Sequence, residues 1–424
     1  MKYRSTRGDG RRLAFSDAAL ASLAPDGGLY VPERFPPFSP SGVDARASLA
    51  NVGARFLAPF FEGDRLAPVL AEICRSAFNF ETPLRRLDAS TDILELFHGP
   101  TAAFKDVGAR FLAQCLVRLD GSPRTVLVAT SGDTGGAVAA AFHRKPGVDV
   151  VVLFPEGSVS PEQEMQLTTW GENVTAFAVR GTFDDCQRLV KEAFRDARFS
   201  KARGLISANS INLARLLPQT VYYAKAAIQS WRRDGEAPGI VVPSGNLGNA
   251  VACFWARACG VPIRHIALAT NANPAISEFY RTGESRPAPT LRTLANAMDV
   301  GSPSNLERLV DLFPNRAELL AVSSAITASD DDIRRTLVGL RERHDVLFCP
   351  HTATALFARA GLPEGKWIVV ATAHPGKFAS VLEPLVGPVP LPAALEALRE
   401  KPRRFQALLP ELGALEDALG QPSA

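Results

Sequence analysis

One stretch of this chain reads Thr125-Val-Leu-Val-Ala-Thr-Ser-Gly-Asp-Thr-Gly-Gly136, a β-branched run followed by a glycine-rich turn and small residues. The apolar run predicts a buried strand, and the small residues predict a helix. The same order recurs where Ile240-Val-Val242 leads into Pro243-Ser-Gly-Asn-Leu-Gly-Asn249. Strand, turn and helix in this order predict an α/β fold with parallel sheets. Ligands bind such sheets at the carboxyl ends of strands, where both turns fall.

The alternation of strands and helices extends along the chain on both sides of these turns. Further strands are predicted at Val148–Phe154, Val174–Val179, Ile263–Ala269 and Trp367–Val370, and helices at Gly135–His143, Asp184–Asp196 and Asn249–Cys259. Residues 1–85 differ, because they are loop-rich and dense in proline, so we expect a separate N-terminal domain or arm. Residues 86–424 form the remainder, and the tail after Gly387 carries no chemical motif.

Composition limits the class of protein. A chain of 424 residues with 46% hydrophobic content can bury a large core in two or three domains. A net charge of +3, with acids and bases interspersed, argues against a nucleic-acid surface. The polar N-terminus and the lack of any apolar run near ~18 residues predict neither a secretory signal nor a membrane span. Six scattered cysteines without C-x-x-C spacing indicate buried, reduced thiols, so we expect a cytoplasmic protein.

Lys105 is the leading candidate for chemistry. It lies in the run His98-Gly-Pro-Thr-Ala-Ala-Phe-Lys-Asp106, just before a helix pattern that extends through Val117. A helix N-terminus and partial burial disfavour the ammonium form and leave a nucleophilic amine. The alternative is a solvated lysine at a helix start. A placed lysine with two small-residue anion loops is what pyridoxal phosphate chemistry requires, and this combination favours the chemical interpretation.

The two glycine-rich turns suit different anions. In the second turn, Gly245 and Gly248 let backbone N–H groups converge before a helix N-terminus, an arrangement that suits a phosphate. It matches neither the Walker A loop nor the G-x-G-x-x-G pattern. Ser131-Gly-Asp-Thr-Gly-Gly136 offers hydroxyls and N–H groups that suit a carboxylate. Either turn could instead be an ordinary strand-to-helix connection.

A third motif follows the last predicted strand. It reads Ala371-Thr-Ala-His-Pro-Gly-Lys377, and its threonine hydroxyl could hydrogen-bond a pyridine nitrogen without donating full positive charge. His374, which precedes a proline, could equally be a structural turn residue. His98 and His351 lack metal-ligand companions at helical spacing, so we predict no metal.

In their order along the chain, these motifs resemble the threonine synthase family of pyridoxal phosphate enzymes. The resemblance runs from the N-terminus to Thr372-Ala-His-Pro375 and covers most of the chain. Its other motifs are Tyr3-Arg-Ser-Thr-Arg-Gly8, Leu23-Ala-Pro-Asp-Gly-Gly-Leu-Tyr-Val-Pro32, Glu95-Leu-Phe-His-Gly-Pro-Thr101, Phe104-Lys-Asp106, Thr130-Ser-Gly-Asp-Thr-Gly135, Ser207-Ala-Asn-Ser-Ile-Asn212 and Asn296-Ala-Met-Asp299. Leu247, Gly136 and Gly376 depart from residues common in the family, but none of them removes a functional group.

The resemblance implies fold type II: two parallel-sheet α/β domains with the active site between them, the smaller within about 106–215, plus the N-terminal domain. It also implies a role for each motif. Lys105 would carry the cofactor covalently and act as general base. The cofactor phosphate would be held by Gly245, Asn246, Leu247, Gly248 and Asn249, and the pyridine nitrogen by Thr372. The substrate carboxylate would be bound by Ser131, Asp133 and Thr134. The substrate phosphate would be bound by Asn209, Ser210 and Arg215. A guanidinium fork matches phosphate oxygens, although Arg215 could also be a solvated helix residue.

The activity implied is conversion of O-phospho-L-homoserine and water to L-threonine and phosphate, by γ-elimination and β-addition of water. A phospholyase or dehydratase of the same fold is the close alternative, releasing an oxo-acid and ammonia. A catalytically dead relative that serves as a binding protein is a third possibility, and retention of Lys105 with both loops argues against it. We expect a monomer or homodimer without nucleic-acid or membrane partners.

Overall fold

We describe a computed structural model of the chain that covers residues 1–44, 46–119, 123–130 and 132–420. The N-terminal region contains three helices among its loops, and each buries apolar residues on one face. Its two strands pair antiparallel, with Tyr3 opposite Pro32. The elements are β1 (Tyr3–Ser5), α1 (Phe15–Ala21), β2 (Tyr30–Pro32), α2 (Leu49–Leu57) and α3 (Leu70–Ala77).

The next part of the chain crosses from one sheet to another. Two strands and a helix come first, and a run of alternating strands and helices follows. These elements are β3 (Leu84–Arg86), β4 (Thr91–Glu95), α4 (Lys105–Leu116), β5 (Arg124–Ala129), α5 (Asp133–Phe142), β6 (Val148–Pro155), α6 (Pro161–Thr168), β7 (Val174–Val179), α7 (Phe183–Arg195), α8 (Ala197–Arg203) and β8 (Leu205–Ser207).

The remaining chain returns to the first of these sheets and ends beside the second. Its elements are α9 (Leu213–Leu216), α10 (Thr220–Asp234), β9 (Gly239–Pro243), α11 (Gly248–Ala258), β10 (Ile266–Thr270), α12 (Ala275–Thr282), α13 (Leu306–Leu312), α14 (Arg316–Val322), β11 (Ser323–Thr327), α15 (Asp330–His344), α16 (Pro350–Ala360), β12 (Trp367–Ala371), α17 (Ala379–Val386), α18 (Ala393–Glu396), β13 (Gln406–Leu408) and α19 (Leu412–Leu419).

Two sheets organise the molecule, and the predicted α/β architecture is confirmed. The smaller sheet has the order β13-β7-β6-β5-β8, and its strands pair in parallel. The larger sheet has the order β11-β10-β9-β12-β4-β3, parallel except for β3. The C-terminal tail adds β13 to the smaller sheet, a strand that the division made from the sequence does not include. Helices cover both sheets, as expected for parallel strands that are apolar on both faces.

Capping residues explain where several helices begin. Pro161 occupies the first turn of α6, a favourable place for proline, and Ser160 and Gln163 form a capping box there. Thr182 caps α7 in the same way, so that the helix begins at Phe183, one residue before the predicted Asp184. β10 begins at Ile266, later than the predicted Ile263, because the preceding residues form a loop. Across the described residues, no helix is both long and apolar enough to cross a membrane.

Candidate active site

The carboxyl ends of strands from both sheets open onto one cavity of about 750 Å³. Thr130 follows β5 of the smaller sheet, whereas Ser244 and Thr372 follow β9 and β12 of the larger sheet, and all three line it. The cavity therefore lies between the two α/β domains. Among the predicted site residues, those that line it are Lys105, Asp133, Thr134, Asn209, Ser210, Arg215, Gly245, Asn246, Leu247, Gly248, Asn249 and Thr372. Ser131 lies outside the described residues.

Lys105 is the first residue of α4, and its side chain is only 16% exposed. Its Nζ lies 3.9 Å from Oδ2 of Asp133. The pKa of Lys105 is lowered to about 8. Burial, which disfavours the charged form, is the largest cause, and the cations of Lys377 and Arg215 act in the same direction against the opposing effect of Asp133. The alternative of a solvated lysine is therefore wrong. An amine with this pKa is substantially neutral near pH 8, as a nucleophile and proton acceptor must be.

The glycine-rich turn after β9 packs tightly against the segment that contains Met298. A Cβ on Gly245 would lie 2.6 Å from Cα of Met298, so only glycine fits there. Leu247 has a φ of +61°, a left-handed conformation that side chains rarely adopt, and α11 begins at the next residue. Asn246 fixes the turn: its Nδ2 donates to Oγ of Ser210 at 2.7 Å. The turn thus presents a helix N-terminus to the cavity.

Asn249, in the first turn of α11, is held by two tyrosines of α10. The hydroxyl of Tyr222 donates to Oδ1 of Asn249 at 2.7 Å, and the hydroxyl of Tyr223 donates to the same atom. The tyrosines are buried, and the sequence analysis did not single them out. They fix the orientation of the Asn249 amide and leave its Nδ2 group to face another partner.

Four buried polar atoms of cavity-lining residues have no hydrogen-bond partner within the described ranges. They are Nδ2 of Asn249, Nε of Arg215, Nδ1 of His351 and Oδ1 of Asn296. A buried polar atom without a partner destabilises a protein by about 1–3 kcal/mol, so such atoms are rare. All four belong to residues that line one cavity, which fits a polar group bound there, and three of the four are nitrogen donors that suit phosphate or carboxylate oxygens. The residues present therefore fit pyridoxal phosphate and an anionic substrate.

Arg215 lies in the short helix α9 and is 3% exposed, so the alternative of a solvated helix arginine is wrong. Its Nη1 donates to the carbonyl of Ala208, while its Nε has no partner among the described residues. Burial lowers its pKa to about 10. Gly108 of α4 allows this placement, since a Cβ there would overlap the Arg215 backbone.

Ser210 belongs to a loop that a second buried arginine holds. Arg308 of α13 donates to the carbonyls of Ser210 and Ile211 at 3.1 and 2.7 Å. It also donates to the carbonyl of Tyr30 in the N-terminal region, at 3.1 and 3.0 Å. One guanidinium thus ties the N-terminal region to a wall of the site. Arg308 could not be predicted as a site residue, because nothing in the neighbouring sequence distinguishes it from a solvated arginine of an amphipathic helix.

Asp133 begins α5 and forms a buried ion pair that the sequence analysis missed. Its Oδ1 lies 2.8 Å from Nζ of Lys377, a lysine with no exposed side-chain surface. Gln163 donates to the same oxygen at 3.3 Å. Burial alone would raise the pKa of Asp133, but the ammonium groups of Lys377 and Lys105 outweigh it and hold that pKa well below its usual range. Asp133 is therefore an anion, and it cannot itself attract a substrate carboxylate.

The motif after β12 contributes to the site and to a turn. Thr372 lines the cavity and is 6% exposed, and its carbonyl accepts from the N–H of Phe104, next to Lys105, at 2.8 Å. His374 accepts from the N–H of Gly376 at 3.1 Å, which gives it the structural turn role considered above. Within the described ranges, no group of three histidine, cysteine, aspartate or glutamate side chains is placed to hold a metal ion.

Comparison with known proteins identifies the family. Residues 76–373 match the model of pyridoxal-phosphate dependent enzymes, residues 2–78 that of the threonine synthase N terminus and residues 351–419 that of the threonine synthase C-terminal region. Threonine synthase of Escherichia coli K12 is 39% identical over 91% of each chain, and that of Serratia marcescens 38% identical over 99% of each. The crystal structure of pyridoxal-phosphate-bound threonine synthase from Brucella melitensis superposes with a TM-score of 0.93 at 36% identity, covering 99% of this chain and 98% of that one. The chain therefore belongs to the threonine synthase family of pyridoxal-phosphate-dependent enzymes of fold type II.

Proposed function

We propose that this protein converts O-phospho-L-homoserine and water to L-threonine and phosphate. The observation that carries the proposal is the buried amine of Lys105 in a cavity whose lining residues include four with an unpartnered polar atom. A bound pyridoxal phosphate supplies an electron sink for negative charge that develops at the substrate α-carbon. The chain must then bind two anionic groups of the substrate and move protons at its Cα and Cβ.

The proposal divides these tasks among the lining residues. Lys105 carries the cofactor covalently and moves the protons, because its lowered pKa lets it accept and return them. Gly245 to Asn249 hold the cofactor phosphate, and Thr372 holds the pyridine nitrogen. Asn209, Ser210 and Arg215 bind the substrate phosphate. The N-terminus of α5, with Ser131 and Thr134, binds the substrate carboxylate, while Asp133 of the same turn stays paired with Lys377.

A product assay tests the function. The protein supplied with pyridoxal phosphate and O-phospho-L-homoserine should form L-threonine and inorganic phosphate in equal amounts, measured by amino-acid chromatography and a phosphate assay. Formation of an oxo-acid and ammonia in place of threonine would assign the protein to the phospholyases or dehydratases. Formation of neither set of products would refute both activities.

Gly245→Val should weaken cofactor retention by about tenfold or more, because overpacking against the backbone of Met298 costs about 1–3 kcal/mol and must displace the turn. The measurement is the visible absorbance that survives dialysis against cofactor-free buffer. Gly413→Val is the matched control, since no atom lies within 4 Å of the Cβ position of Gly413. A Gly245→Val protein that kept its cofactor but lost affinity for substrate would reverse the assignment of the two anion loops.

We also propose the domain division, the cellular location and the oligomeric state of the protein. Residues 1–85 form the N-terminal domain, and residues 86–424 form the catalytic region, with its smaller domain within about 106–215. The small net charge of +3 and the buried free cysteines support a cytoplasmic enzyme without a nucleic-acid partner. We propose a monomer or homodimer, which equilibrium sedimentation would distinguish.

A further inference from the structure

Lys377 joins three parts of the molecule from a fully buried position. It lies in the helical turn Pro375–Phe378 that follows β12 of the larger sheet. Its Nζ donates to the carbonyl of Thr101 at 2.9 Å and lies 2.8 Å from Oδ1 of Asp133. Asp133 belongs to α5, beside the smaller sheet, and lines the cavity, so this ion pair joins the two domains next to the cavity. Burial of an unpaired ammonium group destabilises a protein, so a buried lysine requires a partner of opposite charge. Asp133 is that partner for Lys377.

The distances around Asp133 show which amine it pairs with. Lys377 Nζ lies 2.8 Å from one carboxylate oxygen, and Lys105 Nζ lies 3.9 Å from the other. The first distance is that of a charge-assisted hydrogen bond, and the second is too long for one. Lys377 therefore holds the carboxylate through a direct hydrogen bond, whereas Lys105 is attracted to it across a longer distance and makes no hydrogen bond to it.

The other charged groups around Lys105 reinforce this arrangement. Arg215 of α9 and Lys377 both repel its ammonium form. Burial lowers the pKa of His351 in α16 to about 4, so this imidazole is neutral near pH 8 and adds no charge. Asp106, the neighbour of Lys105 in α4, is engaged elsewhere, because it accepts from the N–H and hydroxyl of Thr101. Without Lys377, Asp133 would be free to form a close ion pair with Lys105.

We propose that Lys377 is a positioning residue that holds and neutralises Asp133, so that Lys105 keeps an exchangeable proton instead of entering a fixed ion pair with that carboxylate. The inference rests on the proposed function, because it matters for an amine that must give up and regain a proton. In this proposal Lys377, the last residue of the Ala371–Lys377 motif, controls the charge of Lys105 at the start of α4.

The test is the midpoint at which Lys105 titrates, measured on the full chain without cofactor by trace labelling with isotopic acetic anhydride across pH. The parent midpoint should lie at about 8. Lys377→Gln keeps a donor for Thr101 and Asp133 but removes the charge, so the midpoint should rise by about one pH unit. The ascending limb of the kcat/KM profile for phosphate release should move the same way. Lys377→Arg should restore the parent midpoint.

Two more variants complete the design. Lys225→Gln is the matched control, because Lys225 is a part-buried lysine that donates to a backbone carbonyl, that of Thr82, away from the cavity. Its midpoint for Lys105 should equal that of the parent. The double variant Lys377→Gln/Asp133→Asn removes both charges and leaves neither partner unpaired. Because Asp133 attracts the ammonium of Lys105 more strongly than Lys377 repels it, the midpoint of the double variant should lie slightly below that of the parent, opposite in direction to the shift in Lys377→Gln.

An unchanged midpoint in folded Lys377→Gln would overturn the proposal. If Lys377→Gln does not fold, the double variant is the deciding test. A midpoint of Lys105 far below that of the parent would show that Asp133 acts on Lys105 without being neutralised by Lys377. That result would also overturn the proposal. The labelling needs no substrate. A shifted midpoint in a protein that makes no threonine would therefore refute the proposed function while supporting the role of Lys377.

Discussion

Lys105→Ala should lower turnover of O-phospho-L-homoserine by about 10⁴-fold or more while the protein stays folded. The change removes both the group that carries the cofactor and the base that moves protons, and no other side chain of the site can replace a lysine at that position. The fold should survive, because the Lys105 side chain faces the cavity and its Nζ donates no hydrogen bond to a described residue. Steady-state phosphate release and circular dichroism measure the two outcomes.

Covalent labelling gives an independent measurement at the same residue. Borohydride reduction of the cofactor-loaded protein should attach the cofactor permanently to one peptide, the one that contains Lys105. Lys366→Ala is the matched control, because Lys366 is a partly exposed lysine outside the cavity whose Nζ donates to the carbonyl of Ala89. It should label and turn over like the parent. A label on any peptide without Lys105 would remove this lysine from the proposed chemistry.

Sequence was most informative where a short local pattern determines the structure. Apolar runs before the turns of Thr130 and Pro243 predicted β5 and β9, and small residues after those turns predicted α5 and α11. The parallel order of strands followed from this alternation, because parallel strands require a crossover element between them. The position of Lys105 at a helix start followed in the same way.

Contacts between residues distant in the chain could not be derived from such patterns. Lys377 pairs with Asp133 only because β12 and β5 end at the same cavity. In the sequence, Tyr222 and Tyr223 resemble ordinary core aromatic residues of a helix. In the structure, their hydroxyls donate to Oδ1 of Asn249 and so orient its side-chain amide. In each case the residue type is common in its local setting, and its role depends on contacts between elements that are separate in the sequence.

The strand β13 in the C-terminal tail and the helices α2 and α3 in the N-terminal region could not be predicted from local patterns either. β13 is a strand of three residues at the edge of the smaller sheet, too short for a periodic signal. The helices α2 and α3 lie in a region whose prolines and glycines favoured a loop-rich interpretation, although each buries a regular apolar face. Packing against α4 and α10, which the composition of residues 1–85 does not reveal, stabilises them.

Arg215→Ala should reduce kcat/KM for O-phospho-L-homoserine roughly ten- to a hundredfold or more, because each charge-assisted hydrogen bond to a phosphate contributes about 1.5–3 kcal/mol. The structure adds a physical reason, since Nε of Arg215 is buried without a partner among the described residues. A phosphate oxygen would satisfy it. Arg215→Lys should recover only part of the loss, because an ammonium cannot offer the two-pronged contact of a guanidinium.

Cofactor content separates the two phosphates that Arg215 could recognise. In Arg215→Ala the visible absorbance per chain should stay near that of the parent, because Gly245 to Asn249 are assigned to the cofactor phosphate. Arg195→Ala, at the exposed end of α7, is the matched control and should leave both kcat/KM and absorbance unchanged. Loss of cofactor from Arg215→Ala would move this arginine to the cofactor phosphate, and an unchanged kcat/KM would show that other residues hold the substrate. A selective loss of kcat/KM is expected, since Arg215 lies on α9, whereas the cofactor loop belongs to β9 and α11.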